Sequence, residues 1–231
     1  MNTQNLEKKG EGRPKKNVTA RNIIPGSSMG RRALSILIKI ALLSAIAFVL
    51  RILEFPLGFV FPPYLKMDFS DLPAMLGTFA FGPWSGIIIA GIKNLIVFVA
   101  GMSQSAGVGE IANFLFSVAL VLPGSIYYYW KKTRGTAILS LGIGVVLMAG
   151  VSYPLNQFVL LPFYDATFMK YDAIIKMCNV VNPAINTVQD ILWYTALFTL
   201  IKGIIEALVT FLVYKRMSKV LHMQALNRKK I

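Results

Sequence analysis

Three ionisable side chains stand deep inside long apolar runs of this 231-residue chain: Lys93, Lys202 and Glu206. A charge held at the centre of a lipid bilayer costs at least about 2.5 kcal/mol on insertion scales, so such residues face a cavity or a partner. Lys202 lies midway between Asp190 and Tyr214, and on its own helix it has one counter-charge within reach, Glu206, four residues on. Helical rise places Lys93 and Glu206 at the same depth, about 13 to 15 Å from the inner end of each run. We therefore expect Glu206 to pair with Lys93 as structural glue, leaving Lys202 to face a ligand. The alternative for Lys202 is a second structural ion pair.

Catalytic chemistry has little to stand on. The carboxylates Asp68 and Asp71 sit three residues apart ahead of an apolar segment and have no histidine nearby. Helix capping by Asp71 or Ser70 and loop ordering by Asp68 are the expected roles. The single cysteine, Cys178, closes no internal disulfide, and the single histidine, His222, lies in a basic tail. The chain contains no Gly-rich phosphate loop, GxSxG elbow or HExxH helix. This pattern points to a binding subunit that is not an enzyme and holds neither cofactor nor metal. Ala41 and Ala45, four apart with Ser44 and Ala47 beside them, form a small-residue face against which another helix can pack, inside the chain or on a separate membrane partner.

The elements that position these residues are membrane helices. Hydrophobic residues make up 55% of the chain and charged residues 15%, and the mean hydropathy is +0.61; a water-soluble globule is excluded. The spans expected are Ala33 to Leu53, Pro83 to Met102, Glu110 to Trp130, Thr136 to Leu161 and Asp190 to Tyr214. A sixth apolar segment, Leu72 to Phe81, would rise only about 15 Å, half the hydrocarbon thickness. Counted as a short second span it completes an all-α integral membrane protein of six transmembrane helices with both termini cytoplasmic.

The net charge of +14 supports this count and argues against nucleic acid as a partner, because the cations fall between and beyond the apolar runs. Eighteen Lys and Arg then lie on the cytoplasmic side, whereas only Arg51, Lys66, Lys170 and Lys176 lie outside, as the positive-inside bias requires. Residues 1–30 read as a disordered basic cytoplasmic tail, 31–219 as the six-helix membrane domain, and 220–231 as a second basic tail. The inner turns are short. Two outer stretches, Glu54 to Asp71 and Pro162 to Gln189, are long enough to close over a pocket. Phe59, Phe61, Tyr64, Phe158, Phe163 and Tyr164 are placed to line or lid its mouth, or to form an interfacial belt.

Several ordered motifs carry a resemblance: KMDFSDLPAMLGTFAFGPWSG (Lys66 to Gly86), IKNLIVF (Ile92 to Phe98), GVGEIANFL (Gly107 to Leu115), NQFVLLPFY (Asn156 to Tyr164) and LIKGIIEALVTF (Leu200 to Phe211). Together they resemble the riboflavin-specific S components of energy-coupling factor (ECF) transporters. The resemblance covers roughly Ala33 to Lys219. It implies a multi-pass protein of a prokaryotic cell membrane that captures riboflavin from outside as cargo. Its implied partners are a transmembrane coupling subunit and two cytoplasmic ATPase subunits, which would account for the missing phosphate loop. By motif position it implies Lys202 and Asn156 as ligand contacts, then Asp68, Glu110 and Asn113, and it gives Ala41 and Ala45 the docking role. It also implies an Asn three residues before the span-six lysine, where this chain has Thr199. The competing readings are an S component for another vitamin such as thiamine, a membrane enzyme with Asp68, Asp71 and Glu110 around a metal, and a subunit without ligand.

Overall fold

The computed structural model describes residues 26–57, 61–62, 64–130 and 133–227. The chain is built almost wholly of helices: α1 (Gly26–Ile52), α2 (Leu72–Phe81), α3 (Pro83–Val99), α4 (Val108–Trp130), α5 (Arg134–Leu155), a π-helical turn (Asn156–Leu160), α6 (Leu161–Thr167), α7 (Tyr171–Val181) and α8 (Val188–Asn227). Between α1 and α2, β1 (Phe55–Pro56) and β2 (Lys66–Met67) pair antiparallel, Phe55 opposite Met67. The chain divides into residues 1–35, of which the described part is the opening of α1, and residues 36–231, which form one packed body. Most of the basic N-terminal stretch lies outside the described residues.

Among the described residues, four helical stretches are long and apolar enough to cross a bilayer: Ala33–Ile52, Val108–Tyr128, Gly135–Thr167 and Val188–Lys215. α2 and α3 are apolar but shorter. α2 occupies the short segment expected from sequence. α3 ends three residues before the expected Met102 because a Schellman motif stops it. Met102 N–H donates to Val97 O at 3.2 Å and Gly101 N–H to Phe98 O at 3.1 Å, and Gly101 takes the left-handed conformation, φ +70°, that favours glycine there.

In the body from Ile36 onward, α4 packs against α3 and α5, α5 against α8, and α2 against α3, α4 and α8. The largest core cluster includes Ile40, Ala47, Met75, Ile89, Leu120, Val145 and Met148. α4 and α5 approach closely because Gly144 has no side chain: a Cβ there would strike the carbonyl of Leu120. Leu37, Ile38 and Leu42 of α1 are exposed apolar side chains, as on a lipid-facing helix.

The stretch Pro162 to Gln189 is not a simple loop. It contains the end of α6 and the amphipathic α7, which turns Ile174 and Cys178 onto a satellite core with Leu161, Ile185, Ile191 and Leu192. Eight of the eleven α7 residues are hydrophobic, but three turns of helix are too short to stand out among Asp, Lys and Asn.

Candidate ligand chamber

α8 presents a polar stripe on an otherwise apolar helix. Thr195, Thr199, Lys202, Glu206 and Thr210 follow one another at steps of four, three, four and four, and all five are buried. The upper part of the stripe opens on a chamber of about 280 Å³, near the lower end of the range for small-molecule sites. Its walls come from the end of α1 (Arg51, Ile52), the segment between α1 and α2 (Glu54, Tyr64, Lys66), α4 (Glu110, Asn113, Phe116), the π-helical turn (Asn156, Leu160), α6 (Tyr164) and α8 (Thr195, Phe198, Thr199, Lys202).

Local structure aims these groups. Asn156 opens the π-helical turn, a stretch with Pro154 two residues before it and Pro162 two residues after its end. Each proline lacks the N–H that a regular helix needs, and a wider turn absorbs the mismatch. The Asn156 amide donates to Ser152 O at 2.7 Å, which fixes its orientation at the chamber wall. Ser152 Oγ in turn lies 3.0 Å from Thr199 Oγ1. The Thr199 hydroxyl also donates to Thr195 O at 2.9 Å, so this position is already engaged within the protein. Glu110, in the first turn of α4, accepts from Ser103 Oγ at 2.6 Å. Tyr64 hangs from the segment between α1 and α2, its hydroxyl 3.5 Å from Thr195 Oγ1.

A chain of ion pairs closes one side. Lys66 Nζ meets Glu54 at 2.6 Å, Glu54 meets Arg51 at 3.0 Å, Arg51 meets Asp68 Oδ2 at 2.9 Å, and Lys202 Nζ meets the same Asp68 oxygen at 2.8 Å. Asp68 Oδ1 accepts the backbone N–H of Ser70 at 2.8 Å. Burial alone would raise the Asp68 carboxyl, but the Lys202 and Arg51 cations outweigh it and hold Asp68 well below the usual carboxylate range. Asp68 therefore sits behind Lys202 and does not itself line the chamber. Lys202 is both the ion-pair partner of Asp68 and part of the chamber wall.

The expected Lys93–Glu206 pair does not form. Lys93, 0% exposed, binds Asp71 Oδ1 at 2.5 Å and Ser70 Oγ at 2.9 Å, and Ser117 Oγ donates to the same Asp71 oxygen. Asp71 stands at the leading end of the ten-residue α2, which packs against α3, and so meets Lys93 of that helix directly, a partner that equal depth along α3 and α8 does not reveal. Asp71 consequently makes no side-chain cap to α2, although it stands at the N-cap position.

Among the aromatic candidates, Tyr64 and Tyr164 line the chamber. Phe61 is buried outside it, edge-on to Phe198 with centroids 5.2 Å apart. Phe158 points outward, 72% exposed, and Phe163 meets Tyr164 and Phe168 edge-on. Phe59 lies outside the described residues. Phe116 and Phe198 were missed in sequence because nothing distinguishes them from other apolar helix positions. Ala41 and Ala45 are exposed on α1, whereas Ser44 and Ala47 turn inward. Among the described residues no three His, Cys, Asp or Glu side chains gather as metal ligands.

A multi-pass helical membrane domain with a mixed polar and apolar chamber beside an ion-paired segment is a solute-binding membrane protein. The family described as "ECF transporter, substrate-specific component" matches residues 35–214, and the chain belongs to it: it is a transporter component, not an enzyme. It is 40% identical over 197 residues to "Riboflavin transporter RibU" of Staphylococcus aureus, covering 83% of this chain and 97% of that protein. "Riboflavin transporter FmnP" of Bacillus subtilis is 35% identical over 129 residues, 55% of this chain and 67% of that protein. A solved structure described as "Structure and mechanism of the S component of a bacterial ECF transporter" superposes with a TM-score of 0.66 at 37% identity, covering 82% of this chain and 98% of that one.

Proposed function

We propose that this chain is the riboflavin-capturing S component of an ECF transporter in a prokaryotic cell membrane, taking the vitamin from the outer side as cargo. The observation that carries the reading is the convergence of Lys202, Asn156, Glu110, Asn113 and Tyr64 on one chamber, in a chain 40% identical to a riboflavin transporter. An isoalloxazine is a flat apolar plate with polar edges; Phe116, Phe198 and Leu160 offer it faces, and the amide and ammonium groups offer it partners. Ribityl hydroxyls need partners once buried, or each costs about 1 to 3 kcal/mol. Thr199 stands where the family resemblance implies an amide, so it supplies less than an asparagine would.

In this reading α1, α2, α3, α4, α5 and α8 make the six-helix domain of residues 31–219, with both termini and the basic stretches 1–30 and 220–231 in the cytoplasm. Support comes from the eighteen cations that this arrangement puts inside. A transmembrane coupling subunit and two ATPases provide the energy, and the exposed Ala41 and Ala45 are the docking face for the former. The deciding experiment is titration of the purified apo protein in detergent with riboflavin, read by flavin fluorescence. Stoichiometric quenching and a yellow complex are expected. Unchanged fluorescence with riboflavin, and saturable binding of thiamine instead, would move the assignment to another vitamin.

A further inference from the structure

Among the described residues, four buried side-chain atoms have no hydrogen-bond partner: Asp71 Oδ2, Asn94 Oδ1 and both carboxyl oxygens of Glu206. Glu206 is 0% exposed and lies one helical turn below Lys202 on the same face of α8. The charged groups acting on it are Lys202 of its own helix, Asp68 and Asp71 from the segment leading into α2, and Lys93 of α3. Both ammonium groups are committed elsewhere, Lys202 to Asp68 at 2.8 Å and Lys93 to Asp71 at 2.5 Å. An ionised carboxylate with neither oxygen bonded is among the costliest groups to bury, and such a group is relieved by neutralisation.

Asp68 belongs to the irregular segment between α1 and α2. Its ties to Arg51 and to the Ser70 backbone lie at the two ends of that segment, whereas its pair with Lys202 reaches across to α8. Without Asp68, Lys202 would be an unpaired buried cation, and Glu206 is the acid within reach of it on α8.

We propose that Glu206 is a buried proton-binding site: its carboxyl holds a proton while Lys202 is paired with Asp68, and releases it to become the counter-ion of Lys202 when that pairing is lost. In that exchange the Glu206 O–H bond breaks and the proton passes to water. Lys202 remains an ammonium, and one negative charge leaves its side as another forms, so the buried charge balance is kept. The ligand of this site is a proton, and its occupancy reports whether Lys202 has Asp68 as its partner.

Infrared spectroscopy of the full-length protein in detergent at neutral pH tests this, each spectrum taken against the same protein carrying Glu206→Gln. The wild type is expected to show the C=O stretch of a protonated carboxylic acid that Glu206→Gln removes, and Glu206→Gln is expected to keep the wild-type melting temperature. Asp68→Asn is expected to lose that band. Absence of the band in the wild type, or an undiminished band in Asp68→Asn, overturns the proposal. Should Asp68→Asn fail to fold, Lys202→Met serves: without its cation Glu206 keeps its proton and the band stays, and loss of the band in this variant is the contrary result.

Discussion

Lys202 reaches the chamber with its charge held in place by Asp68, so its truncation removes a charged hydrogen-bond donor without freeing the carboxylate, which keeps Arg51 at 2.9 Å. Lys202→Ala is expected to weaken riboflavin binding roughly tenfold to a hundredfold, the span that losing a hydrogen bond to a charged group allows, measured by fluorescence titration. Lys93 and Asp71 are both fully buried, and breaking such a pair from one side costs about 3 to 5 kcal/mol. Lys93→Ala and Asp71→Ala should each lower thermal stability in detergent, and the double variant should lose much less than the sum of the two. Additive losses would mean the pair is not a unit. Asp68 supplies a pH dependence. Its folded carboxyl titrates below its unfolded value, so its contribution is complete above about pH 4 and drains away as the pH falls toward the folded value. The melting temperature of the wild type should therefore drop as the pH is taken below about 4, more steeply than that of Asp68→Asn; parallel acid profiles would contradict this.

At the scale of elements, the contact between α4 and α5 rests on a position where no side chain fits. Gly144→Ala drives a Cβ into the Leu120 carbonyl and should cost about 1 to 3 kcal/mol as overpacking, seen as a lower melting temperature; a wild-type value would show that the two helices part freely. The helices themselves were legible because long apolar runs have few alternatives in a membrane, and α2 matched its expected bounds, Leu72 to Phe81. Less could be read where backbone detail decides. The π-helical turn at Asn156 arises from how two prolines fit one helix, and α7 is a short amphipathic piece whose apolar face has meaning only once Cys178 and Ile185 are seen to meet. Partner choice among buried charges was also hidden. Lys93, Lys202 and Glu206 stand out as misfits, but which carboxylate each lysine meets depends on how the segment leading into α2 folds against α3 and α8, and no spacing along the chain encodes that.

For the molecule as a whole, the two faces of α1 separate tasks. Ser44 and Ala47 pack inward while Ala41 and Ala45 stay exposed, so enlarging the outer pair should leave the chamber untouched. Ala41→Leu with Ala45→Leu is expected to bind riboflavin with wild-type affinity yet fail to co-purify with the coupling subunit; retained co-purification would place docking elsewhere. α8 adds a mechanical property. It runs forty residues from Val188 to Asn227 with no proline to bend it, about 60 Å of continuous rod against about 30 Å of hydrocarbon. From Lys202 to Asn227 the lever arm is about 38 Å, so a tilt of about 10° pivoting at the chamber sweeps the far end through about 7 Å. A change too small to notice around the ligand is thus written large at the opposite pole of the protein, where a spin label or a cross-linker would read it.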